Sequence, residues 1–204
     1  AKVLVLHLGS VQFFWSNPAR KLRHFATAHP ASILPEDPAY QRLLAKVRGK
    51  LRKRMEPYWE QTQKSLAGIL PYAAEKGITL GFENREKFSE LPVDADFAGL
   101  LDGLPPSAPA GYWHDTGHAQ INQGLGLLNH RQQLDKNSDR NIGFHLHDVD
   151  AQGHDHQTIG TGQVDFEMVR EFWRPEHRLV LELSPRLTIG QVRASKARVE
   201  ELLG

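Results

Sequence analysis

The sequence predicts an α/β fold built on a parallel sheet. Short apolar runs recur along the chain, and longer stretches with helical spacing of apolar residues separate them. That alternation is typical of parallel strands joined by helices. A third observation is that every apolar run is followed by an acidic or histidine side chain. Because parallel strands bring their carboxyl ends to one side of a sheet, these side chains are expected to converge in space.

Five strands are predicted. They are Val3–Leu6, Ile78–Phe82, Gly111–Trp113, Ile142–Phe144 and Leu179–Leu181. The first of them is apolar throughout, as expected of a strand that is buried on both faces. No internal repeat, low-complexity tract or linker interrupts the series, so the chain is predicted to be a single domain, 1–204.

A long helix is predicted from Asp37 to about Lys76, because apolar residues recur there at spacings of three and four and Gly77 can end it. Pro57 is expected to kink or split this helix. The segment Val11–Pro35 gives mixed signals and is interpreted as loop with short helical pieces. The other predicted helices are Asp94–Leu101, Leu125–Lys136, Asp165–Trp173 and Ile189–Leu203, the last of which Thr188 can cap.

Composition excludes several classes of site. The 204 residues contain no cysteine, which excludes disulfides, thiolate metal sites and cysteine nucleophiles. No apolar run approaches the roughly 18 residues of a membrane span, so a cytoplasmic location without membrane association is expected. The net charge of +1 does not favour a nucleic-acid partner. The basic cluster between Lys46 and Arg54 is interpreted as a solvated outer face of the long helix rather than a nucleic-acid patch.

The side chains that follow the strands can bind a metal or exchange a proton. They are His7, Glu83, Asp115, His145 with His147, and Glu182. Taken singly, each has a structural alternative: Glu83 can pair with Arg85, and Asp115 can cap a helix. However, Glu83 and Glu182 each follow a strongly apolar strand, where an isolated buried carboxylate is costly without a cation. One shared divalent ion (Mn, Mg, Co or Zn) would account for the whole set.

The densest group of such residues lies between Ile142 and Gly162. On an extended strand, His145 and His147 point the same way. The loop that follows carries His154, Asp155 and His156. Neutral imidazole and carboxylate are common ligands of divalent metals, so the stretch favours a metal site over the alternative of a solvated polar loop.

The same residues resemble a known family. The motifs are HLGS at His7, FEN at Glu83, HDTGH at Asp115 and His118, HLHD at His145, DHQTIGTGQVDF from Asp155 and LELSP at Glu182. In this order they are similar to the xylose isomerase-like TIM barrels, which include sugar and sugar-phosphate isomerases and epimerases and the endonuclease IV type of nuclease. The resemblance implies an eight-stranded barrel that lacks its first three β/α units here. A preceding segment, or a partner chain such as a second copy, is then expected to complete it.

In the epimerase and isomerase branch, the resemblance implies one divalent metal held by Glu83, Asp115, His145 and Glu182. The two glutamates would exchange a proton with a small carbohydrate through an enediolate. Five further side chains are expected to contact the substrate or support the ligands. They are His7, His118, His147, Asp148 and His156.

Two other functions stay open. In the nuclease branch, additional zinc ions are expected at His7, His118 and His156, and the reaction is phosphodiester hydrolysis. His154 stands where that branch has an aspartate, which disfavours this alternative. A non-catalytic binding module is the third possibility, and the presence of both glutamates disfavours it.

Overall fold

A computed structural model describes residues 2–13, 17, 19–29, 33–93 and 96–204, and its centre is a five-stranded parallel sheet. The strands are β1 (Val3–Leu6), β2 (Thr79–Glu83), β3 (Ala110–Asp115), β4 (Asn141–Leu146) and β5 (Arg178–Leu181). Their spatial order is their chain order, and each neighbouring pair is parallel. The strands therefore form half of a (β/α) barrel, as the sequence predicted.

Seven α-helices are found in the described part of the chain. They are α1 (Ala19–Thr27), α2 (Pro38–Glu75), α3 (Phe97–Asp102), α4 (Thr116–Gly124), α5 (His130–Asn137), α6 (Phe166–Arg170) and α7 (Ile189–Leu203). Among these described helices, none combines the length and apolar character that a membrane crossing needs. Thr188 caps α7 as predicted, and the structure adds a capping box with Gln191.

Helix α2 runs for 38 residues without a break, so the predicted split at Pro57 is wrong. A proline removes one backbone hydrogen bond from a helix, but packing on both sides of it can keep the helix continuous. Leu51 before Pro57 and Leu66 after it are both buried. Asp37 caps the first turn, with its side chain accepting hydrogen bonds from the N–H groups of Ala39 and Tyr40.

The two ends of α2 pack against different parts of the molecule. Its C-terminal part belongs to the core cluster under β2 and β3, through Leu66 and Leu70. Its N-terminal part packs against α1 instead, through Leu44 and Val47. The N-terminal half of the helix therefore lies beyond the sheet, beside the loops at the carboxyl ends of the strands.

Alternation along the strands separates core residues from site residues. Phe82 and Tyr112 are fully buried in the core cluster that lies between the sheet and α2 and α3. Glu83, one residue after Phe82, and Asp115, three residues after Tyr112, point to the opposite face, the interior of the arc. The second large core cluster joins β4 to α6 and α7 around Phe144.

The helices after β3 differ from the prediction. The predicted helix Leu125–Lys136 is wrong in its first five residues, because α5 begins only at His130 after an Asn129 cap. Helix α4 starts at Thr116, directly after β3, and its cap is Asp115, which confirms the structural alternative given for that residue. Of the predicted helix Asp94–Leu101, the structure contains α3 from Phe97, and the first two predicted residues lie outside the described ranges.

Candidate metal centre

Four side chains from neighbouring strand ends meet at the carboxyl edge of the sheet. Their ligand atoms all lie within 4.8 Å of one another. They are Glu83 from β2, Asp115 from β3, His145 from β4 and Glu182 directly after β5. The register explains the convergence, because Asp115 stands opposite His145 in the β3–β4 pair. Two of the side chains are buried and two are half-buried.

Three carboxylates surround one nitrogen atom at this point. His145 Nδ1 lies 2.7 Å from Glu83 Oε1, 2.7 Å from Glu182 Oε2 and 3.8 Å from an Asp115 oxygen. A ring nitrogen carries at most one hydrogen, so it cannot donate to both glutamates. Glu182 Oε2 is indeed buried without a well-aligned hydrogen-bond partner. A donor set of three carboxylates and one imidazole fits a divalent cation.

The charges of the cluster are strongly coupled. Burial lowers the pKa of His145, but hydrogen bonds and charge interactions with Glu182 and Glu83 outweigh burial and raise that pKa to about 9. In return, the close approach of the His145 and His156 rings holds the pKa of Glu182 well below its usual range. Glu182 is therefore an ionised carboxylate at neutral pH.

Asp115 has two structural roles besides its place in the cluster. One carboxylate oxygen accepts the N–H of His118 at 2.7 Å and so caps α4. The Asn84 side chain donates to the Asp115 carbonyl at 2.9 Å and accepts from its N–H at 2.6 Å. These bonds fix the backbone of Asp115 relative to the end of β2.

His147 is fully buried and supports Asp115 from the other side. Its Nδ1 accepts the N–H of His156 at 2.9 Å, so the ring proton is on Nε2. Nε2 lies 3.0 Å from both carboxylate oxygens of Asp115 and donates its one proton to Oδ2. Gly117 makes room for this ring, since a Cβ there would lie 2.0 Å from His147 Cε1.

His156 connects the loop to Glu182. Its ring stacks on that of His147 at 4.3 Å, and its backbone has a φ of 56°, a conformation that is rare for residues other than glycine. Nδ1 lies 3.0 Å from Asp155 Oδ1 and Nε2 lies 3.6 Å from Glu182 Oε1. Hydrogen bonds to Asp155 and Glu182 raise the pKa of His156 to about 10.

Glu83 also has cationic neighbours. Its Oε2 atom contacts the Arg85 guanidinium and lies 2.7 Å from His7 Nε2. Glu83 therefore pairs with Arg85, as its structural alternative expected, and also belongs to the four-residue cluster. Arg85 was not predicted as a site residue. Its position two residues after Glu83, on the same side of an extended chain, is the signal that points to it.

Asp148 is buried, and its carboxylate accepts hydrogen bonds from the backbone of the loop that follows β4. It accepts four backbone N–H groups at 2.8 to 3.0 Å, from Val149, Gly160, Gly162 and Val164. A Cβ at Gly162 would lie 2.4 Å from an Asp148 oxygen, so the loop can close on the carboxylate only with glycine there. His154 lies at the exposed side of the same loop and bonds Asp150 at 2.9 Å.

Two further groups of three residues have ligand atoms close enough to share a cation. They are Asp115 with His118 and His147, and His147 with His156 and Glu182. Both include His147, whose two nitrogens are already used by His156 and Asp115. His7 belongs to no such group among the residues that the structure describes.

Comparison with known proteins agrees with this geometry. The model of the xylose isomerase-like TIM barrel family matches residues 23–175. Among solved structures, a D-tagatose 3-epimerase-like protein has a TM-score of 0.58 at 20% identity, covering 100% of this chain and 62% of its own. A xylose isomerase domain protein from Planctomyces limnophilus has a TM-score of 0.54 at 14% identity, with coverages of 98% and 58%.

A third similar structure is the 3-keto-D-glucoside 4-epimerase from E. coli, with a TM-score of 0.53, 17% identity and coverages of 72% and 55%. At such identities the structures establish the fold, and the chain spans 55% to 62% of the length of these three proteins. A search of curated proteins gives no match. Because the family model matches most of the chain, the chain belongs to the xylose isomerase-like TIM barrel family.

Proposed function

We propose that this chain carries the metal centre of a divalent-metal-dependent sugar epimerase or isomerase. The observation that carries the proposal is the convergence of Glu83 and Glu182 with Asp115 and His145 on one point at the carboxyl edge of the sheet. The similar structures include a D-tagatose 3-epimerase-like protein, a 3-keto-D-glucoside 4-epimerase and a D-psicose 3-epimerase, which supports a ketose or related carbohydrate as the substrate.

Glu83, Asp115, His145 and Glu182 would hold the cation, with Mn, Mg, Co and Zn all compatible with the donor set. When bound, the cation would polarise the carbonyl and hydroxyl oxygens of the sugar. Asp115 is placed for this role by His147 and by the start of α4.

The two glutamates carry the proton chemistry in this proposal. Glu182 is ionised because its pKa is lowered, so it can accept the proton from the carbon next to the sugar carbonyl. The electron pair of the broken C–H bond moves into the enediolate. Glu83, acting as the acid, delivers its proton to carbon, and proton exchange with solvent then returns Glu182 to the carboxylate and Glu83 to the acid. Delivery to the opposite face of the same carbon gives the epimer, and delivery to the neighbouring carbon gives the isomer.

Turnover in deuterium oxide tests this proposal. Protein loaded with Mn or Co is incubated with D-tagatose, D-fructose and D-psicose, and deuterium at the carbons next to the carbonyl is measured by NMR. We expect deuterium in substrate and product with the wild type, and a loss of at least about 100-fold in Glu182→Gln. Glu200→Gln, a substitution on the exposed face of α7, is the control. Normal exchange in Glu182→Gln would remove Glu182 from the mechanism.

Zinc-dependent phosphodiester hydrolysis is the second candidate, because His118 and His156 each lie in a further group of three ligand-type side chains. The engagement of His147 in both groups weighs against it. Elemental mass spectrometry of the purified protein separates the two functions. One ion per chain favours the epimerase or isomerase, and two or three zinc ions favour the hydrolase.

A further inference from the structure

A cavity of about 220 Å³ lies beside the metal centre, between the N-terminal half of α2 and the loop after β2. Four cationic side chains line it. They are Arg48 and Arg52 from α2 and Arg85 and Lys87 from the loop. Apolar side chains such as Leu51, Phe88 and Val93 form much of the remaining wall.

The spacing of the basic cluster on α2 explains two of these cations. Arg48 and Arg52 are four residues apart and so lie on the same face of the helix. Other members of the cluster point elsewhere: Arg54 lies over the ring of Phe13 at 5.4 Å, and Lys50 lines a different depression. The members of the cluster are exposed, as the interpretation of a solvated outer face expects, and two of them also line the cavity.

Cations outnumber carboxylates among the described residues that line this cavity. The carboxylates are Glu90 and Asp96. Glu90 accepts the backbone N–H of Lys87 at 3.0 Å and lies 3.6 Å from Arg85, and Asp96 interacts with Arg52. Arg48 donates to the Leu127 carbonyl at 3.2 Å, a neutral partner. With Glu83 counted as a partner of Arg85, three carboxylates stand against four cationic side chains, so one positive charge is in excess.

Arg85 connects the cavity to the metal centre. Its guanidinium lines the cavity and contacts Glu83, one of the four cluster residues. The Arg85 side chain is only 11% exposed. Its backbone is also held in place, because the Asn122 side chain donates to the Arg85 carbonyl at 2.8 Å. Arg85 thus places the cavity next to Glu83 and therefore next to the four-residue cluster.

We propose that this cavity binds an anionic group of the substrate, so that the substrate is a sugar phosphate or a sugar acid. The inference rests on the proposed function, since it takes the metal centre as the place where the sugar ring or chain reacts. Arginine suits this task, because its planar guanidinium can donate two parallel hydrogen bonds to a phosphate or carboxylate.

Turnover of matched substrates tests the proposal. D-fructose, D-fructose 6-phosphate and the corresponding uronic acid, with the same three forms of D-tagatose, are assayed with the metal-loaded protein. We expect kcat/KM to be at least about tenfold higher for one anionic form than for the neutral sugar. Which anionic form is preferred distinguishes phosphate from carboxylate. Preference for the neutral sugar would overturn the proposal.

Arg52→Gln gives the residue-level test, with Lys53→Gln on the same helix turn as the control because Lys53 does not line the cavity. We expect Arg52→Gln to lower the ratio of kcat/KM for the anionic form to that for the neutral form by at least about tenfold. Lys53→Gln should leave the ratio unchanged. An equal effect of both variants, or no effect of either, would contradict the assignment.

Binding of inorganic phosphate, followed by ³¹P NMR at constant ionic strength, is independent of turnover. Phosphate binding that weakens in Arg52→Gln and persists in Lys53→Gln supports the cavity assignment even if no sugar is converted, in which case only the proposed function fails. Phosphate binding that does not depend on Arg52 overturns the inference. A second result would also overturn the inference. It is binding of a DNA duplex with an abasic site that depends on Arg52 and is tighter than the binding of every sugar phosphate tested.

Discussion

His147 Nε2 lies 3.0 Å from the carboxylate of Asp115, in a histidine–carboxylate pair that is entirely buried. The ring proton is fixed on Nε2, because Nδ1 accepts the N–H of His156. Side chains that support a metal ligand in this way typically change metal affinity by about 10- to 100-fold when they are removed. His147 is thus placed to set the orientation of Asp115 without binding the metal itself.

We predict that His147→Asn weakens metal binding by about 10- to 100-fold while the protein still folds. The measurement is competition with a chelator of known affinity, and circular dichroism checks the fold. His154→Asn in the same loop is the matched control, because His154 is exposed and bonds only Asp150 within the loop. Unchanged metal affinity in His147→Asn would mean that Asp115 needs no support from this ring.

Asp148 is predicted to stabilise the fold through the loop that follows β4. Asp148→Asn replaces a carboxylate oxygen with an amide NH₂, which cannot accept the N–H groups that now bond it. We expect a loss of about 3 kcal/mol in the free energy of unfolding, measured by urea denaturation. Asp150→Asn, at the exposed side of the same loop, should cost much less. Equal losses in the two variants would contradict the role of Asp148.

Metal binding is predicted to release a proton. His145 has a pKa of about 9 in the metal-free protein, so its ring is protonated at pH 7 and must lose a proton before Nδ1 can bind a cation. The apparent affinity should therefore rise by about tenfold per pH unit up to about pH 9 and then level off. Calorimetry in buffers with different ionisation enthalpies counts the protons. Metal binding at pH 7 without proton release would exclude His145 Nδ1 as a ligand.

Acid is predicted to destabilise the fold through a second, buried histidine pair. His114 Nε2 lies 2.8 Å from His130 Nε2, and both side chains are excluded from solvent. Burial lowers the pKa of both rings, that of His130 to about 4. Between about pH 6.5 and 4 the unfolded chain binds protons that the folded chain does not, so stability is full above this window and decreases as the pH falls through it.

The measurement is the urea midpoint between pH 4 and 7, and His130→Asn should reduce its pH dependence. A loss of about 1 kcal/mol per pH unit is expected for one such histidine. The depressed pKa of Asp115 adds a further loss only below about pH 4, so the two contributions are separable. A flat midpoint from pH 7 to 4.5 would contradict the prediction.

The four cluster residues could be predicted because each follows a short apolar run, and the geometry of parallel strands then brings the residues together. Helix α4 could be predicted only in its start, as a structural alternative for Asp115. Asp115 serves at once as a cluster residue and as the helix cap, and Gly117 and the polar residues after it give α4 no clear apolar face. The Asp115 cap with the His118 N–H three residues later is the signal for that start.

Contacts between residues that are far apart in the chain could not be predicted from local sequence patterns. Nothing local predicts that His114 meets His130, because a buried partner is set by how α5 packs on β3. The same holds for the cavity at Arg85, whose other wall comes from Arg48 and Arg52 more than 30 residues earlier. The roles assigned to His7, His118, His147, Asp148 and His156, and those of the four cluster residues, remain predictions.

The length of α2 places the residues that line the cavity apart from the residues of the strand-end cluster. A helix of 38 residues is about 57 Å long, whereas the strands beside it have at most six residues and reach about 20 Å. The C-terminal half of α2 packs in the core under the sheet. Exposed residues of its N-terminal half, such as Arg52, contact neither the strands nor the strand-end carboxylates. Under the proposed function, exchanging surface residues of this one helix would change the substrate preference and leave the metal centre intact.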